Sequence, residues 1–65
     1  MNREQAISRA IKETRATRLT HLVYENGWGG YVARMLVQET DRDGAFVEVK
    51  HISDLGQVVQ VIELY

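Results

Sequence analysis

The spacing of the apolar residues changes near residue 17, and this change limits the folds that the chain can adopt. Between Arg3 and Ala16 apolar residues recur every three or four positions, as they do on one side of an amphipathic helix. From Leu19 onward β-branched residues dominate, and turn-forming residues interrupt them at regular intervals. We therefore predict one N-terminal helix followed by several strands.

The helix has a recognisable start and end in the sequence. Asn2 and Gln5 have the spacing of a capping box, in which each side chain satisfies a backbone N–H at a helix start. Extending the helical wheel places Arg18 inside the apolar arc, so the helix is predicted to end near Ala16 or Thr17. Its apolar stripe consists of Ala6, Ile7, Ala10, Ile11 and Thr14.

Four strands are predicted in the rest of the chain, at Leu19–Glu25, Tyr31–Glu39, Ala45–Ile52 and Gln57–Leu64. The connections carry turn signals, at Asn26-Gly27, Asp41-Arg42-Asp43-Gly44 and Ser53-Asp54-Leu55-Gly56. Short connections join neighbouring strands antiparallel. The predicted fold class is α+β, with one N-terminal amphipathic helix packed on a three- or four-stranded antiparallel β-meander.

Composition limits the size and chemistry of this fold. With 65 residues, the chain forms one domain over residues 1–65 and has no room for a second core. It contains no Cys, which excludes disulfides and thiolate metal sites, and no Pro, which often protects sheet edges. The 45% hydrophobic content is enough to support self-association.

Apolar side chains are predicted on both faces of the sheet. The helix-facing set is Tyr31, Ala33, Met35, Val37, Ala45, Val47 and Val49, and the opposite set is Val32, Leu36, Phe46, Val59, Val61 and Tyr65. One helix covers only one face of a sheet. The second face is a candidate contact surface for a homodimer or a protein partner, and exposed apolar residues of the ordinary kind would give the same pattern.

The stretch from Glu25 to Tyr31 contains three glycines around the only tryptophan. A phosphate-binding loop would lead into a helix, whereas a strand is predicted here. Asn26-Gly27 predicts a type I′ hairpin turn, with the next two glycines in a bulge or a wide turn. We expect Trp28 to fold back onto the helix, because so small a core needs its largest side chain. If the Trp28 side chain instead pointed into solvent beside Tyr31, it would be the best single candidate for a binding anchor.

Candidate catalytic and metal-binding patterns fail on spacing. An EF-hand that began at Asp41 would need an oxygen ligand at Ala45 and a Glu at Ile52. His21 and His51 lack the compact spacing of zinc ligands. The triad letters His51, Ser53 and Asp54 lie too close along one strand end to converge. We predict no catalytic residues, no metal and no cofactor.

The N-terminal segment is basic and the remainder is acidic. Residues 1–18 carry five basic and two acidic side chains, and Arg9, Lys12 and Arg15 project away from the apolar stripe. Such a face could follow phosphates, which gives an alternative function in nucleic-acid binding. An ordinary solvated helix face has the same composition, and no aromatic residue lies between these charges to stack on bases.

Neither a signal-peptide run nor a membrane-spanning stretch occurs in the sequence. The sequence therefore predicts a cytoplasmic protein without membrane contact, although a mature exported fragment would look the same.

The order of elements resembles that of a PepSY-type domain. The resemblance covers nearly the whole chain and is carried by EQAISRAI at residues 4–11, the strand Tyr31–Gln38 and AFVEVKH at residues 45–51, followed by Gly56 and Val58. It implies one helix against a short antiparallel sheet. That family is associated with pro-regions of peptidases and with inhibitory or regulatory binding, usually outside the cytoplasm. The resemblance therefore also implies a role of this kind.

These observations favour a non-enzymatic protein-binding or regulatory module that forms a homodimer or acts on a larger protein. Aromatic and large apolar anchors supply most of the energy of an interface. The predicted contact residues are Trp28, Tyr31, Leu36 and Phe46.

Overall fold

A computed structural model describes residues 1–52 and 58–64 of the chain. Helix α1 spans Arg3–Thr17, and the strands are β1 (His21–Glu25), β2 (Tyr31–Met35), β3 (Val47–His51) and β4 (Val59–Glu63). The helix packs on a four-stranded antiparallel sheet. The predicted α+β class, the position of the helix and the existence of all four strands are confirmed.

Both ends of α1 follow from local chemistry. The Asn2 side chain accepts the Gln5 N–H at 2.8 Å and the Gln5 side chain accepts the Asn2 N–H at 3.0 Å, so the predicted capping box is confirmed. At the other end Arg18 adopts a left-handed conformation with φ of 61°, and its N–H donates to the Thr14 carbonyl at 2.7 Å. This cap ends the helix at Thr17.

The strand order is β2-β1-β3-β4, which differs from the order of a meander. Strand β1 lies between β2 and β3, with Val23 opposite Ala33 on one side and Val47 on the other. The predicted hairpin between the second and third strands at Asp41–Gly44 is therefore wrong. The predicted pairing of the last two strands is confirmed, and the turn proposed for it at residues 53–56 lies outside the described residues.

A crossover of residues 36–46 replaces the expected hairpin and contains a 3-10 helix at Glu39–Arg42. The Asp41 carboxylate accepts the backbone N–H groups of Val37 at 2.9 Å and Gln38 at 3.0 Å. These two bonds turn the chain soon after β2 and shorten the strand predicted to reach Glu39. Gly44 has a φ of +82°, the left-handed conformation expected for it, within this crossover.

The main core lies between α1 and the sheet. It is built from small and β-branched side chains, namely Ala6, Ala10, Val23, Val47 and Val49, all with no exposed surface. Tyr31 and Ala33 pack against this core as predicted, and Ala45 is also buried. Val37, predicted to face the helix, is 76% exposed because β2 has ended before it.

The crossover covers part of the sheet face opposite the helix. Leu22 has no exposed surface and Glu48 is 6% exposed, although both lie on that face. The Arg42 guanidinium donates a hydrogen bond to the Glu48 carboxylate at 2.8 Å. This bond and the one to Glu39 raise the pKa of Arg42. The Tyr24 hydroxyl donates to the Asp41 carbonyl, and burial raises the Tyr24 pKa. This part of the second face is therefore closed by the chain itself.

Three apolar residues predicted on that second face belong to the helix side. The Phe46 N–H donates to the Val23 carbonyl although Val47 is the register partner of Val23. Phe46 and Val47 thus both lie opposite Val23, as in a β-bulge. The bulge turns the Phe46 side chain toward the helix-side core. Val59 and Val61 pair with His51 and Val49 and so share their face; the parity predicted for the fourth strand was wrong.

Candidate protein-binding surface

The loop between β1 and β2 has a backbone held by one side chain. Asn26 N–H donates to the Gly30 carbonyl at 3.0 Å, and Asn26 Oδ1 accepts the N–H groups of Trp28 at 2.9 Å and Gly30 at 3.1 Å. Gly27 and Gly29 each have a φ of 81°. Within residues 1–52 and 58–64, Arg18 is the only non-glycine residue with positive φ, so the wide turn is confirmed and the type I′ turn is wrong.

Trp28 at the tip of this loop is 92% exposed. The expectation that it folds back onto the helix is therefore wrong. The loop lies beyond the last residue pair of β1 and β2, Glu25 and Tyr31, and its three bonds hold the backbone there. Small and β-branched residues fill the core instead, so the largest side chain of the protein is left to the solvent.

An apolar cluster lies at the same end of the sheet as the loop. The rings of Tyr31 and Phe46 meet edge to face with centroids 6.0 Å apart. Tyr31 N–H donates to the Met1 carbonyl at 2.8 Å, and Leu64 N–H donates to the Phe46 carbonyl at 2.9 Å. We call these residues, Met1, Trp28, Tyr31, Phe46 and Leu64, the loop-end surface.

The loop-end surface combines exposed and half-buried side chains. Met1 is 49% exposed and Leu64 is 36% exposed, while Tyr31 and Phe46 are half-buried. At its border the Arg3 guanidinium donates to the Glu63 carboxylate at 2.7 Å, and this bond raises the pKa of Arg3. An apolar centre with a charged rim is the usual arrangement of a protein interface.

Three of the four predicted contact residues lie together at this end, and Leu36 does not. Leu36 follows the opposite end of β2, where its N–H donates to the Thr20 carbonyl at 2.8 Å. The five residue steps from Tyr31 to Leu36 correspond to roughly 17 Å of extended chain. Leu36 therefore belongs to a different part of the surface.

Met1 and Leu64 were not among the predicted contact residues. Leu64 lies in the predicted fourth strand, but only the β3–β4 register places it beside Phe46. No sequence pattern indicates that the Met1 carbonyl bonds to Tyr31, because the two residues are distant in the chain.

The basic face of α1 forms a separate surface. The Arg9 guanidinium lies 4.0 Å from the Glu13 carboxylate, one helical turn away. Lys12 and Arg15 border a shallow depression of about 520 Å³ whose other lining residues are Ser8, Ile11 and Ala16. The three predicted nucleic-acid contacts thus lie on one helix, with Arg9 paired to an acidic neighbour.

Metal ligands do not converge in the described part of the chain, where no three His, Asp or Glu side chains form a group that could hold a metal ion. His21 is buried between α1 and the sheet, and His51 lies at the end of β3. Across the described residues, no helix has both the length and the apolar character needed to cross a membrane.

No protein-family model, curated protein or solved structure matches this chain. The structure shows a small α+β fold with one helix and a four-stranded antiparallel sheet, and no match supports the resemblance to PepSY-type domains beyond that.

Proposed function

We propose that this protein is a non-enzymatic protein-binding module that inserts Trp28 into a pocket of a larger protein. The observation that carries the proposal is the 92% exposure of Trp28 on a loop fixed by Asn26. Tryptophan is among the residues that contribute most to interface energy. In a protein with so few aromatic residues, leaving the only tryptophan in solvent is explained by a partner.

The order of the loop also supports this proposal. Binding costs free energy when mobile segments must be fixed, and a segment that is already ordered avoids most of this cost. The three hydrogen bonds of Asn26 hold the Trp28 backbone before any partner arrives. The resemblance to PepSY-type domains supports a regulatory role, because that family is associated with inhibitory or regulatory binding.

Affinity capture from the source cells tests the proposal with three immobilised chains: wild type, Trp28→Ala and Val37→Ala. Val37 is a matched control because it is 76% exposed and lies in the crossover, outside the loop-end surface. We expect a protein that is retained by the wild type and by Val37→Ala and lost with Trp28→Ala. Equal retention by all three chains would refute the role of Trp28.

The alternative is nucleic-acid binding through Arg9, Lys12 and Arg15. It is supported by the depression that Lys12 and Arg15 border on α1. Binding of this kind weakens steeply as salt rises, because it releases counterions from phosphates. Retention of DNA or RNA at low salt that is lost in an Arg9→Ala, Arg15→Ala double variant would favour this function. No retention at low salt would exclude it.

A further inference from the structure

We propose that the free edge of β4 pairs with β4 of a second copy of this chain, which extends the sheet across a twofold axis. The interface does not include Trp28 and shares only Leu64 with the loop-end surface. It follows from three observations, namely the direction of the β4 backbone groups, the exposed apolar residues of this strand and the scarcity of charge along it.

The β3–β4 ladder defines which β4 groups face outward. Ile52 N–H donates to the Val58 carbonyl and Leu64 N–H donates to the Phe46 carbonyl, so these are hydrogen-bonded pairs. Hydrogen-bonded and non-bonded pairs alternate along an antiparallel ladder. The N–H and C=O groups of Val59, Val61 and Glu63 therefore point away from β3. Strand β4 is last in the sheet, and among the described residues no hydrogen bond to these outward groups is found.

The opposite edge of the sheet is less open. The same alternation directs the backbone groups of Tyr31, Ala33 and Met35 away from β1. The N–H of Tyr31 is already bonded to the Met1 carbonyl at 2.8 Å, so the start of the N-terminal segment covers one end of β2. Because this contact blocks the first outward position, β4 offers the longer free edge.

A twofold axis through Val61 uses all three outward positions of β4. Val61 then pairs with Val61 of the second copy, and Val59 pairs with Glu63. Shifting the register by two residues in either direction leaves one of these three positions unpaired. Antiparallel self-pairing in this register therefore satisfies the outward backbone groups of both strands.

The same register covers apolar surface that is exposed in one copy. Val58 is 51% exposed, Val61 is 43% exposed and Leu64 is 36% exposed. The axis places the two Val61 side chains next to each other and Val58 opposite Leu64 of the second copy, where directly opposed side chains contact. The exposed apolar residues of this strand are thus complementary to themselves.

Charge does not oppose pairing with a second copy. Between Val58 and Leu64 the only charged residue is Glu63, and Arg3 of the same chain already bonds to it at 2.7 Å. In the proposed register Glu63 lies opposite Val59, so no two like charges face each other. The edge also lacks the Lys or Pro that normally prevents such pairing.

The expected assembly is an eight-stranded sheet with both helices on one face. Paired edge strands bury little area, at the low end of interface sizes below about 1,200 Å². We therefore expect a weak dimer that forms at high micromolar to millimolar concentrations of the chain.

Sedimentation equilibrium of the full chain over this concentration range is the first test. The apparent mass is expected to rise from 7.5 kDa toward twice this value. Val61→Lys, which places a charge on the axis, should remain at the monomer mass. Val37→Lys, at an exposed position outside β4, and Trp28→Ala should dimerise as the wild type does. Far-UV circular dichroism establishes that each variant is folded.

Amide hydrogen exchange of the wild type tests the register even if Val61→Lys does not fold. The N–H groups of Val59, Val61 and Glu63 should become at least several-fold more protected at high than at low concentration. Those of Gln60 and Ile62 already bond to β3 and should change little.

Four results would overturn the proposal. The first is a monomer mass for the wild type at millimolar concentration. The second is a dimer that persists in folded Val61→Lys. The third is concentration-dependent protection without alternation along β4. The fourth is loss of the dimer in Trp28→Ala, which would place the contact at the loop-end surface. Failure of partner capture alone would leave the β4 dimer unaffected.

Discussion

The hydroxyl of Thr14 lies 3.1 Å from Nδ1 of His21, which joins the buried side of α1 to the first residue of β1. The same hydroxyl donates to the Val49 carbonyl in β3 at 3.3 Å. His21 Nδ1 also lies 2.9 Å from the Leu19 carbonyl oxygen, and because a carbonyl can only accept, the Nδ1 atom carries the proton. One threonine thus fixes the helix against two adjacent strands.

Replacing Thr14 with Val should destabilise the fold by about 0.5–1.5 kcal/mol, because the buried hydrogen bonds of the Thr14 hydroxyl to the Val49 carbonyl and to His21 are lost while the side-chain shape is kept. The free energy of unfolding from urea titration measures the effect. Thr17→Val is the matched control, because the hydroxyl of Thr17 is exposed and water replaces its bonds. Its expected effect is below about 0.5 kcal/mol. Equal stability of Thr14→Val and wild type would contradict this interpretation.

Asp41 should make the crossover sensitive to acid. The backbone N–H groups of Val37 and Gln38 hold the pKa of Asp41 below its ordinary value of 3.8. A lowered folded-state pKa contributes stability that is present above 3.8 and is lost as pH falls through the folded-state pKa. In Asp41→Asn the denaturation midpoint should be lower than in wild type at neutral pH, and the difference should shrink below pH 3.8. A difference that is constant with pH would contradict the assignment.

Asn26→Ala should weaken partner binding without changing Trp28 itself. The substitution removes the acceptor for the N–H groups of Trp28 and Gly30, so the loop must be ordered on binding. The expected loss is about 0.5–1.5 kcal/mol, or roughly two- to tenfold in the dissociation constant. Asn26→Asp keeps an oxygen acceptor and should retain most of the affinity. Calorimetric titration with the captured protein measures both variants, and equal affinities for them would argue against a pre-ordered loop.

The helix could be predicted closely from the sequence because its signals are local. The capping box at Asn2 and Gln5, the apolar stripe and the conflict at Arg18 all lie within or next to the segment that they define. The approximate positions of the four strands follow in the same way from local β-branched runs and glycine turns.

The strand order depends on contacts that local patterns do not show. The four residues Asp41–Gly44 are typical of a tight hairpin turn. In the structure, however, the Asp41 carboxylate accepts the backbone N–H groups of residues 37 and 38, and the chain forms a 3-10 helix at Glu39–Arg42. The resulting crossover places β1 between β2 and β3. The β-bulge at Phe46 then places this side chain on the helix side of the sheet and not on the opposite face. No periodicity in the sequence marks either event.

Three of the four predicted contact residues lie at one end of the sheet, whereas Leu36 lies elsewhere and the predicted direction of Trp28 was wrong. Trp28, Tyr31 and Phe46 were selected as large aromatic side chains, and they do lie at one end of the sheet. Whether Trp28 would pack inward depended on how far the loop extends beyond the sheet. The hydrogen bonds between Asn26 and Gly30 hold the loop in its position, and no local sequence pattern predicts them.

Binding through Trp28 is tested most directly by the affinity of the captured protein for wild type, Trp28→Ala and Val37→Ala, measured by isothermal titration calorimetry. If Trp28 is the anchor, its truncation should cost at least about 2 kcal/mol, which is roughly a thirtyfold rise in the dissociation constant. Val37→Ala should stay within about twofold of wild type, as a residue outside the interface does. Equal affinities for all three chains would contradict the claim that this protein binds through Trp28.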